Sequence, residues 1–247
     1  MRIVIVENPE TLAVAAADVV ASVVRARPDA ILGLPSGETP LGLYRELGRR
    51  VDAGDLDLSR VTAFAVDEFY GAPAGAPGTN AAYFAARLTF RLRALHLLRS
   101  DAPDPEAECA RFAAILRELG PPDLVVLGIG ADGHIAFNEP GSPPDSRTRL
   151  VALTDETRRA HAEAFGGLER VPRTGLTIGI ADILEARRVL LLASGGAKAG
   201  ILARALRGPE TPEVPASALR RHPALTVIAD RAAAADLQRY EGARPNA

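Results

Sequence analysis

Short apolar runs alternate along the chain with longer segments in which apolar residues recur at helical spacing. The apolar runs are continuous, as is typical of strands buried on both faces. They lie at residues 2–6, 30–34, 61–67, 123–130, 188–194 and 225–230. The helical periodicity lies at residues 11–26, 40–54, 104–119 and 197–208. This alternation predicts an α/β protein with a mostly parallel sheet between layers of helices.

The carboxyl ends of the predicted strands should share one edge of the sheet, because parallel crossovers are right-handed. Open sheets of this kind bind ligands at that edge. The Pro- and Gly-rich segments 71–78 and 140–146 are predicted to be loops there, and 241–247 a frayed tail. Since the chain shows no repeat and no internal boundary, we expect one domain over residues 1–247.

Residues 128–140, GIGADGHIAFNEP, carry the densest group of titratable side chains at this edge. Glycines let the backbone turn at the end of the strand, and Asp132, His134 and Glu139 follow. An aspartate beside a histidine can fix its tautomer and stabilise its protonated form, and a nearby glutamate can tune its pKa. The segment therefore indicates proton transfer on a small polar substrate, rather than a turn with solvated charges.

A second acidic motif, VDEF at 66–69, places Asp67 and Glu68 at the end of the third predicted strand. Carboxylates are common at strand tips in α/β active sites and uncommon inside strands. These residues alone do not distinguish a pair of solvated loop carboxylates from a pair of carboxylates with a functional role.

Residues 32–44, LGLPSGETPLGLY, read as a strand, a loop of small residues and a helix beginning near Pro40. Ser36, Gly37 and Thr39 could present amides and hydroxyls to an anion at the helix N-terminus. The loop lacks the lysine and spacing of a P-loop. An ordinary helix start with Thr39 as N-cap therefore stays an alternative to a phosphate site.

Lys198 is the only lysine among 29 basic residues. It lies in SGGAKA, residues 194–199, where a strand, glycines and a helix again follow one another. A cation in the first turn of a helix is unfavourable by up to ~1 kcal/mol, and an anionic ligand bridging the two would relieve this. The position favours phosphate binding by Lys198; chance retention of a lysine is the alternative.

Composition disfavours several functions. The formal net charge of −2 over 247 residues gives no support to nucleic-acid or acidic-membrane binding. No apolar run approaches the ~20 residues of a membrane span, and the first ten residues do not form a signal peptide. Cys109 is the only cysteine, which fits a reducing, cytoplasmic setting. Scattered histidines and acidic residues predict no metal site.

The motifs, in this order, resemble those of the glucosamine-6-phosphate deaminase family, within a wider group that includes the 6-phosphogluconolactonases. The resemblance covers residues 2–237. Its most specific parts are LGLPSGETP, VDEF, GIGADGHIAFNEPGS, DSRTR, LTIGIADIL and PASAL followed by HP. The NEP after DGH is similar to the deaminases and differs from the lactonases.

This resemblance implies a Rossmann-like three-layer α/β/α fold. It also implies conversion of glucosamine 6-phosphate and water to fructose 6-phosphate and ammonia, without metal or cofactor. Asp67 matches the family's general base between C2 and C1, and His134 matches the ring-opening group, tuned by Asp132 and Glu139. The matching phosphate-binding positions are Ser36, Gly37, Thr39 and Lys198. A lid is expected at about 141–175, and a homo-oligomer is compatible with the resemblance.

Several positions depart from the family pattern. Glu38 replaces a frequent Gly or Ser in the phosphate loop, and Glu163 replaces a phosphate-binding arginine of the lid. Phe69 replaces a frequent Tyr, Asn80 is similar to the Ser-Asn of the lactonases, and Val151 replaces a basic residue of allosterically activated members. An anion beside the phosphate would repel it unless it points away. Three arginines of the same region could bind the phosphate in place of the missing lid arginine: Arg158, Arg159 and Arg173.

Three functions therefore compete: an amino-sugar-phosphate deaminase and isomerase, a 6-phosphogluconolactonase-like hydrolase, and a non-catalytic sugar-phosphate sensor. Glu139 within NEP disfavours the hydrolase. The sensor would not need the full set of Asp67, His134 and Glu139, and we expect no helix-turn-helix segment before residue 1.

Overall fold

The computed structural model describes residues 1–237, which contain two β-sheets. The strands are β1 (Arg2–Val6), β2 (Ile31–Leu34), β3 (Thr62–Ala65), β4 (Asp67–Tyr70), β5 (Ala94–His96), β6 (Leu124–Gly128), β7 (Arg149–Ala152), β8 (Thr174–Thr177), β9 (Val189–Ala193) and β10 (Leu225–Asp230). Seven form a parallel sheet in the order β1-β10-β9-β6-β2-β3-β5. The other three form an antiparallel sheet in the order β4-β8-β7.

The helices cover both faces of the parallel sheet. They are α1 (Pro9–Ala26), α2 (Glu38–Asp52), α3 (Asn80–Arg87), α4 (Pro105–Leu119), α5 (Asp155–Ala160), α6 (Ala162–Phe165), α7 (Ile180–Leu184) and α8 (Ala199–Arg207). Short 3₁₀ turns lie at Leu168–Arg170, Gly196–Lys198 and Pro215–Arg221. In the described residues, no helix is long and apolar enough to cross a membrane.

The continuous apolar runs follow from burial on both faces. In β6, Leu124 and Val126 pack with α1 and α2, whereas Val125 and Leu127 pack with α4, α7 and α8. Because successive strand residues point to opposite faces, each run supplies two separate cores. The predicted α/β/α layering with a mostly parallel sheet is confirmed, and the segments 71–78 and 140–146 are loops, as predicted. The predicted frayed tail lies outside the described residues.

The prediction of one strand over 61–67 was wrong. β3 ends at Ala65, and Asp67 begins β4 in the antiparallel sheet. Between them, the Val66 N–H donates to the Leu34 carbonyl at 3.1 Å, and the Val66 carbonyl accepts from the Ile178 N–H at 2.9 Å. The apolar run continues through this change of sheet because Val66 is buried on both sides, so periodicity could not detect it.

Two helix starts also differ from the prediction. α2 begins at Glu38 after Gly37, whose φ is 109°, so Thr39 lies within the helix and is not its N-cap. Before α8, the chain forms a 3₁₀ turn that ends at Lys198. Glycine is suited to the left-handed conformation at Gly37, which lets the chain turn directly from β2 into the helix.

The centre of the parallel sheet contains a topological switch point. β2 and β6 are neighbours, but the chain continues from β2 to β3 and β5 on one side, and from β6 to β9 and β10 on the other. Diverging connections leave a crevice outside the carboxyl ends of the two central strands. The loops after β2 and β6 flank this crevice.

The segment before β7 packs tightly on the start of α7. The Ser146 carbonyl accepts from the Ala181 N–H at 3.0 Å, and its hydroxyl oxygen accepts from the Ile180 N–H at 3.2 Å. A Cβ on Gly179 would lie 1.9 Å from the Ser146 carbonyl oxygen. Only glycine therefore fits here without a shift of backbone.

We expect Gly179→Ala to lower the free energy of unfolding by about 1–3 kcal/mol, the usual cost of overpacking a closed site. Urea denaturation of the variant measures this change. Gly196→Ala is the matched control, because a Cβ there meets no atom within 4 Å and the backbone φ is not left-handed. Equal unfolding midpoints for the two variants would contradict the packing argument.

Candidate active site

Four neighbouring strands send polar residues to the crevice. Across the sheet, Asp67 follows β3, the loop at 35–37 follows β2, the loop at 129–134 follows β6, and the loop at 194–198 follows β9. The adjacency of these strands explains how residues distant in sequence come together. The crevice thus collects all the segments that carried candidate chemistry in the sequence.

The loop after β6 is closed by two backbone hydrogen bonds. The Gly130 N–H donates to the His134 carbonyl at 2.9 Å, and the Gly133 N–H donates to the Gly130 carbonyl at 3.1 Å. A Cβ on Gly130 would lie 2.3 Å from the His134 ring. Glycine at position 130 therefore leaves the space that the imidazole occupies.

His134 is held by a carboxylate on one of its two ring nitrogens. Its Nδ1 lies 2.7 Å from Asp132 Oδ1, which also accepts from the His134 backbone N–H at 3.1 Å. Since an ionised carboxylate can only accept, Nδ1 carries a proton and Nε2 is the nitrogen left to exchange one with a ligand. Glu139 Oε2 lies 3.6 Å from the same Nδ1.

The charges around His134 favour its protonated form. Burial lowers the pKa of His134, but the hydrogen bond and charge of Asp132 and the charge of Glu139 outweigh it, so the pKa is raised. Burial opposes ionisation of Asp132, yet its bond to His134 keeps the pKa of that carboxyl lowered. Burial raises the pKa of Glu139. The arrangement suits a group that gives and takes a proton.

The turn between His134 and Glu139 is held by buried hydrogen bonds that sequence reasoning missed. The Asn138 side chain donates to the carbonyls of Ile135 at 3.0 Å and Ile178 at 2.9 Å, and its Oδ1 accepts from Arg149 at 2.9 Å. The Glu139 carboxylate accepts from the backbone N–H and hydroxyl of Thr154, at 3.3 and 3.2 Å.

Asp67 is almost completely buried, with 6% of its surface exposed. Burial, followed by the negative charge of Glu68, raises the pKa of Asp67 to about 7. The Asn80 side-chain amide donates to its Oδ1 at 2.5 Å. A carboxylate with a pKa near neutrality is matched to the work of a general base.

The neighbouring Glu68 has a different task. Its carboxylate accepts from the backbone N–H groups of Asn80 and Ala81, both at 2.8 Å, and of Phe69 at 2.7 Å. Burial raises the pKa of Glu68 to about 7. Because it caps the N-terminus of α3, Glu68 fixes that helix to β4.

The loop after β2 is anchored by two tyrosines. The Tyr44 hydroxyl donates to the Pro35 carbonyl at 2.5 Å, and the Tyr83 hydroxyl donates to the Gly37 carbonyl at 2.7 Å. The first turn of α2 has no side-chain cap, so its N–H groups form a site of positive potential. Ser36 and Thr39 are half-buried beside this turn.

Lys198 lies on the other side of β6, in the loop after β9. Asp230 orients this loop by accepting from the Ser194 hydroxyl at 2.6 Å and from the Gly195 N–H at 2.9 Å. Burial lowers the pKa of Lys198, whereas the charges of Asp132 and Glu156 act in the opposite direction. Within residues 1–237, no carboxylate lies within ion-pair distance of its ammonium.

The segment 141–175 includes β7 and the start of β8, so it forms part of the antiparallel sheet. Its apolar contacts form a cluster with Phe69, whose ring centroid lies 4.9 Å from those of Phe137 and Phe165. Phe69 is fully buried in this apolar cluster. The ring that replaces a frequent tyrosine therefore serves packing.

The three arginines proposed as substitutes for the missing lid arginine fare differently. Arg158 is committed elsewhere: its guanidinium pairs with Asp155 at 3.2 Å and donates to the Leu168 carbonyl at 3.1 Å. Arg159 and Arg173 are exposed, as are Glu38 and Glu163. Arg158 is thus engaged within its own segment, and the substitution of one of these three arginines for the lid arginine stays a prediction.

The structure brings together three groups that could bind a cation, which sequence spacing did not indicate. One donor atom each of Asp132, His134 and Glu139 lies within 4.8 Å of the others. The 2.7 Å between His134 Nδ1 and Asp132 Oδ1 is a direct hydrogen bond. A metal bound by both atoms at about 2.0–2.2 Å would need to separate them, so this geometry favours proton transfer.

Comparison with known proteins gives consistent matches along nearly the whole chain. The sequence profile of a family described as glucosamine-6-phosphate isomerases/6-phosphogluconolactonase matches residues 7–228. The glucosamine-6-phosphate deaminase of Rhodopirellula baltica is 41% identical over 243 residues, which cover 97% of each chain. A solved structure described as a monomeric glucosamine-6-phosphate deaminase has a TM-score of 0.92 at 38% identity, covering 96% of this chain and 100% of that one.

A more distant solved structure shares the fold. The 6-phosphogluconolactonase from Shewanella baltica OS155 has a TM-score of 0.75 at 23% identity, covering 93% of this chain and 97% of that one. At this identity the likeness concerns architecture alone.

We expect Asp132→Asn to lower the pKa of His134, because the negative charge that offsets burial is lost and a neutral amide oxygen is a weaker acceptor for the protonated ring. An NMR titration of the imidazole C–H signals measures the shift. His222 is the internal control, because it lies at the opposite edge of the parallel sheet, where its ring bonds to the Ala186 carbonyl at 2.7 Å. An unchanged titration of His134 would show that Asp132 does not control its protonation.

Proposed function

Because this chain belongs to the family of glucosamine-6-phosphate isomerases and 6-phosphogluconolactonases, we propose that it converts glucosamine 6-phosphate and water to fructose 6-phosphate and ammonia. The observation that carries the proposal is one crevice with two separate proton-transfer groups. Asp67 has a pKa of about 7, and the His134–Asp132 pair lies close enough for the His134 charge to act on Asp67. An aldose–ketose shift needs both a base at carbon and an acid at the ring oxygen.

The phosphate is bound where positive potential converges. The uncapped N–H groups at the start of α2, with Ser36, Gly37 and Thr39, supply hydrogen bonds, and the Lys198 ammonium supplies charge. Both loops are held before the ligand arrives, by Tyr44 and Tyr83 on one side and Asp230 on the other. Glu38 and Glu163 are exposed, which supports their pointing away from the phosphate.

His134 opens the sugar ring. Protonated on both nitrogens, it gives its Nε2 proton to the ring oxygen, a water molecule takes the proton of the C1 hydroxyl, and the C1–O bond to the ring breaks. The product is an open-chain aldehyde. Asp132 stabilises the charged imidazole through Nδ1, and Glu139 supports it from 3.6 Å.

Asp67 then moves a proton along the chain of the sugar. Its carboxylate takes the proton from C2, the electrons flow towards the C1 oxygen, which takes a proton from water, and the carboxyl returns its proton to C1. C2 is left as an imine. Water adds to C2, the nitrogen leaves as ammonia, and a C2 ketone remains.

Other aspects are part of the proposal. We propose that residues 1–247 act as one domain in the cytoplasm, and that the segment 141–175 acts as a lid. The contacts of Thr154 with Glu139 support the lid, since they connect this segment to the crevice. The single, buried Cys109 supports a reducing location. A homo-oligomer stays a prediction.

The assay that tests the function measures ammonia release from glucosamine 6-phosphate beside hydrolysis of 6-phosphogluconolactone. We expect ammonia release, and kcat/KM should fall as the pH drops through about 7, because Asp67 becomes protonated. Asp67→Asn should lower kcat by at least ~10²-fold with little change in KM. Asp52→Asn, an exposed carboxylate at the end of α2, is the control.

Lactone hydrolysis without ammonia release would favour the hydrolase, and binding without turnover of either compound would favour the sensor. Near-normal turnover by the Asp67→Asn enzyme would remove Asp67 from the mechanism.

For the phosphate site, we expect Lys198→Ala to raise KM for glucosamine 6-phosphate about 30-fold, since a charge-assisted contact contributes roughly 2 kcal/mol. Turnover of unphosphorylated glucosamine should hardly change. Arg204→Ala, which removes an exposed cation from the helix that follows, α8, is the control. Equal losses for both sugars would place Lys198 outside the phosphate site.

A further inference from the structure

Asn80 is a buried polar residue that lies between Asp67 and the loop after β2. It is the first residue of α3, and 2% of its surface is exposed. Its side chain contacts Asp67 on one side and Ser36 on the other. A buried amide in such a place must have its hydrogen bonds satisfied, so its partners fix its orientation.

We propose that Asn80 is a positioning residue for Asp67, which holds the base by its side-chain amide and links it to the phosphate loop. The proposal rests on the proposed function, in which Asp67 takes the proton from C2. Asn80 itself does not contact the reacting carbons in this role; it acts through the carboxylate.

The hydrogen bonds of the amide leave one orientation. Asn80 Nδ2 lies 2.5 Å from Asp67 Oδ1 and 2.9 Å from the Asp67 backbone carbonyl oxygen. Both partners only accept, so the nitrogen must face Asp67. The amide oxygen then faces Ser36, whose hydroxyl donates to it at 2.8 Å.

The two bonds from Nδ2 restrain the base. They join the carboxylate to the main-chain carbonyl of the same residue, which limits rotation of the Asp67 side chain. The main chain of Asn80 is fixed independently, because its N–H donates to Glu68 at 2.8 Å. A substitution of the side chain alone therefore leaves the start of α3 in place.

Asn80 also favours the ionised base. An amide N–H stabilises a carboxylate and not a carboxylic acid, so this bond lowers the pKa of Asp67. It works against burial and the charges of Glu68 and Glu139, which raise that pKa, and in the same direction as His134. Burial raises the pKa of the Tyr44 hydroxyl, and the Asp67 charge acts in the same direction. Without Asn80, the balance moves towards the protonated, inactive acid.

Two residues on the same face of α3 connect the base to the loop after β2. Asn80 reaches Asp67, and Tyr83, one turn later, donates to the Gly37 carbonyl. The helix thus sets the distance between the base and the phosphate loop, with Asn80 at the base end and Tyr83 at the phosphate end.

The test is the pH dependence of Asn80→Ala, with Asn80→Asp as a second variant of the same shape. In Asn80→Ala, the acidic limb of the kcat/KM profile should move to higher pH by about one unit. The free energy of a hydrogen bond to a charged group corresponds to a pKa shift of roughly that size. At pH 7, kcat should fall about 5-fold, because the ionised fraction of Asp67 drops from about one half to about one tenth, with KM nearly unchanged. Asn80→Asp should shift the limb further, since it adds a like charge.

Tyr83→Phe is the matched comparison from the same helix face. It should raise KM and leave the acidic limb where it is. A general loosening of α3 would instead change both variants alike. If the limb of Asn80→Ala stays at its wild-type pH, or if KM alone changes, the positioning role is overturned.

A second readout does not depend on activity. NMR titration of the Asp67 carboxyl in the ligand-free protein should give a higher pKa in Asn80→Ala than in the unsubstituted chain. If the unsubstituted chain releases no ammonia, the proposed function fails, and this titration still decides whether Asn80 controls the carboxylate. An unchanged Asp67 titration overturns the inference whatever the activity.

Discussion

The arrangement of the crevice depends on two backbone hydrogen bonds of one buried residue, Val66. Its N–H belongs to the parallel sheet, through Leu34, and its carbonyl belongs to the antiparallel sheet, through Ile178. The chain therefore changes sheet within a single residue, and the next residue, Asp67, is fixed on a strand rather than on a loop. Sites built on strands hold their geometry better than sites built on loops.

Negative charge is abundant in a crevice that we propose binds an anion, and each carboxylate is controlled differently. Asp132 is paired with His134, Glu139 accepts from Thr154, and Glu68 is used by the N-terminus of α3. Asp67 alone combines near-complete burial with a single side-chain donor. Burial raises the pKa of both Asp67 and Glu68 to about 7, but the Glu68 oxygens accept from three backbone N–H groups. Asp67 is therefore the one of the two that is left to exchange a proton with a ligand.

The sequence sufficed for the parallel sheet and for the main groups of the crevice, because continuous burial and strand-end polar residues leave local patterns. It did not reveal the antiparallel sheet. The strands of this sheet are only four residues long, and β4 continues the apolar run of β3 through Val66. The contacts of Arg158 with the carbonyls of Leu168 and Val171 could not be predicted either, since these partners come from a later turn. Asn80 and Asn138 left one signal: they are two of only four asparagines in the chain.

Tyr44 and Tyr83 hold the phosphate loop from behind, with hydroxyls that donate to the carbonyls of Pro35 and Gly37. The entropy of ordering this loop is therefore lost during folding and not when a ligand arrives. A phosphate group can meet a rigid anion site, so more of its intrinsic binding free energy remains for use elsewhere. In an enzyme, that surplus can strain or orient the distant carbon end of the substrate, which raises turnover rather than ground-state affinity.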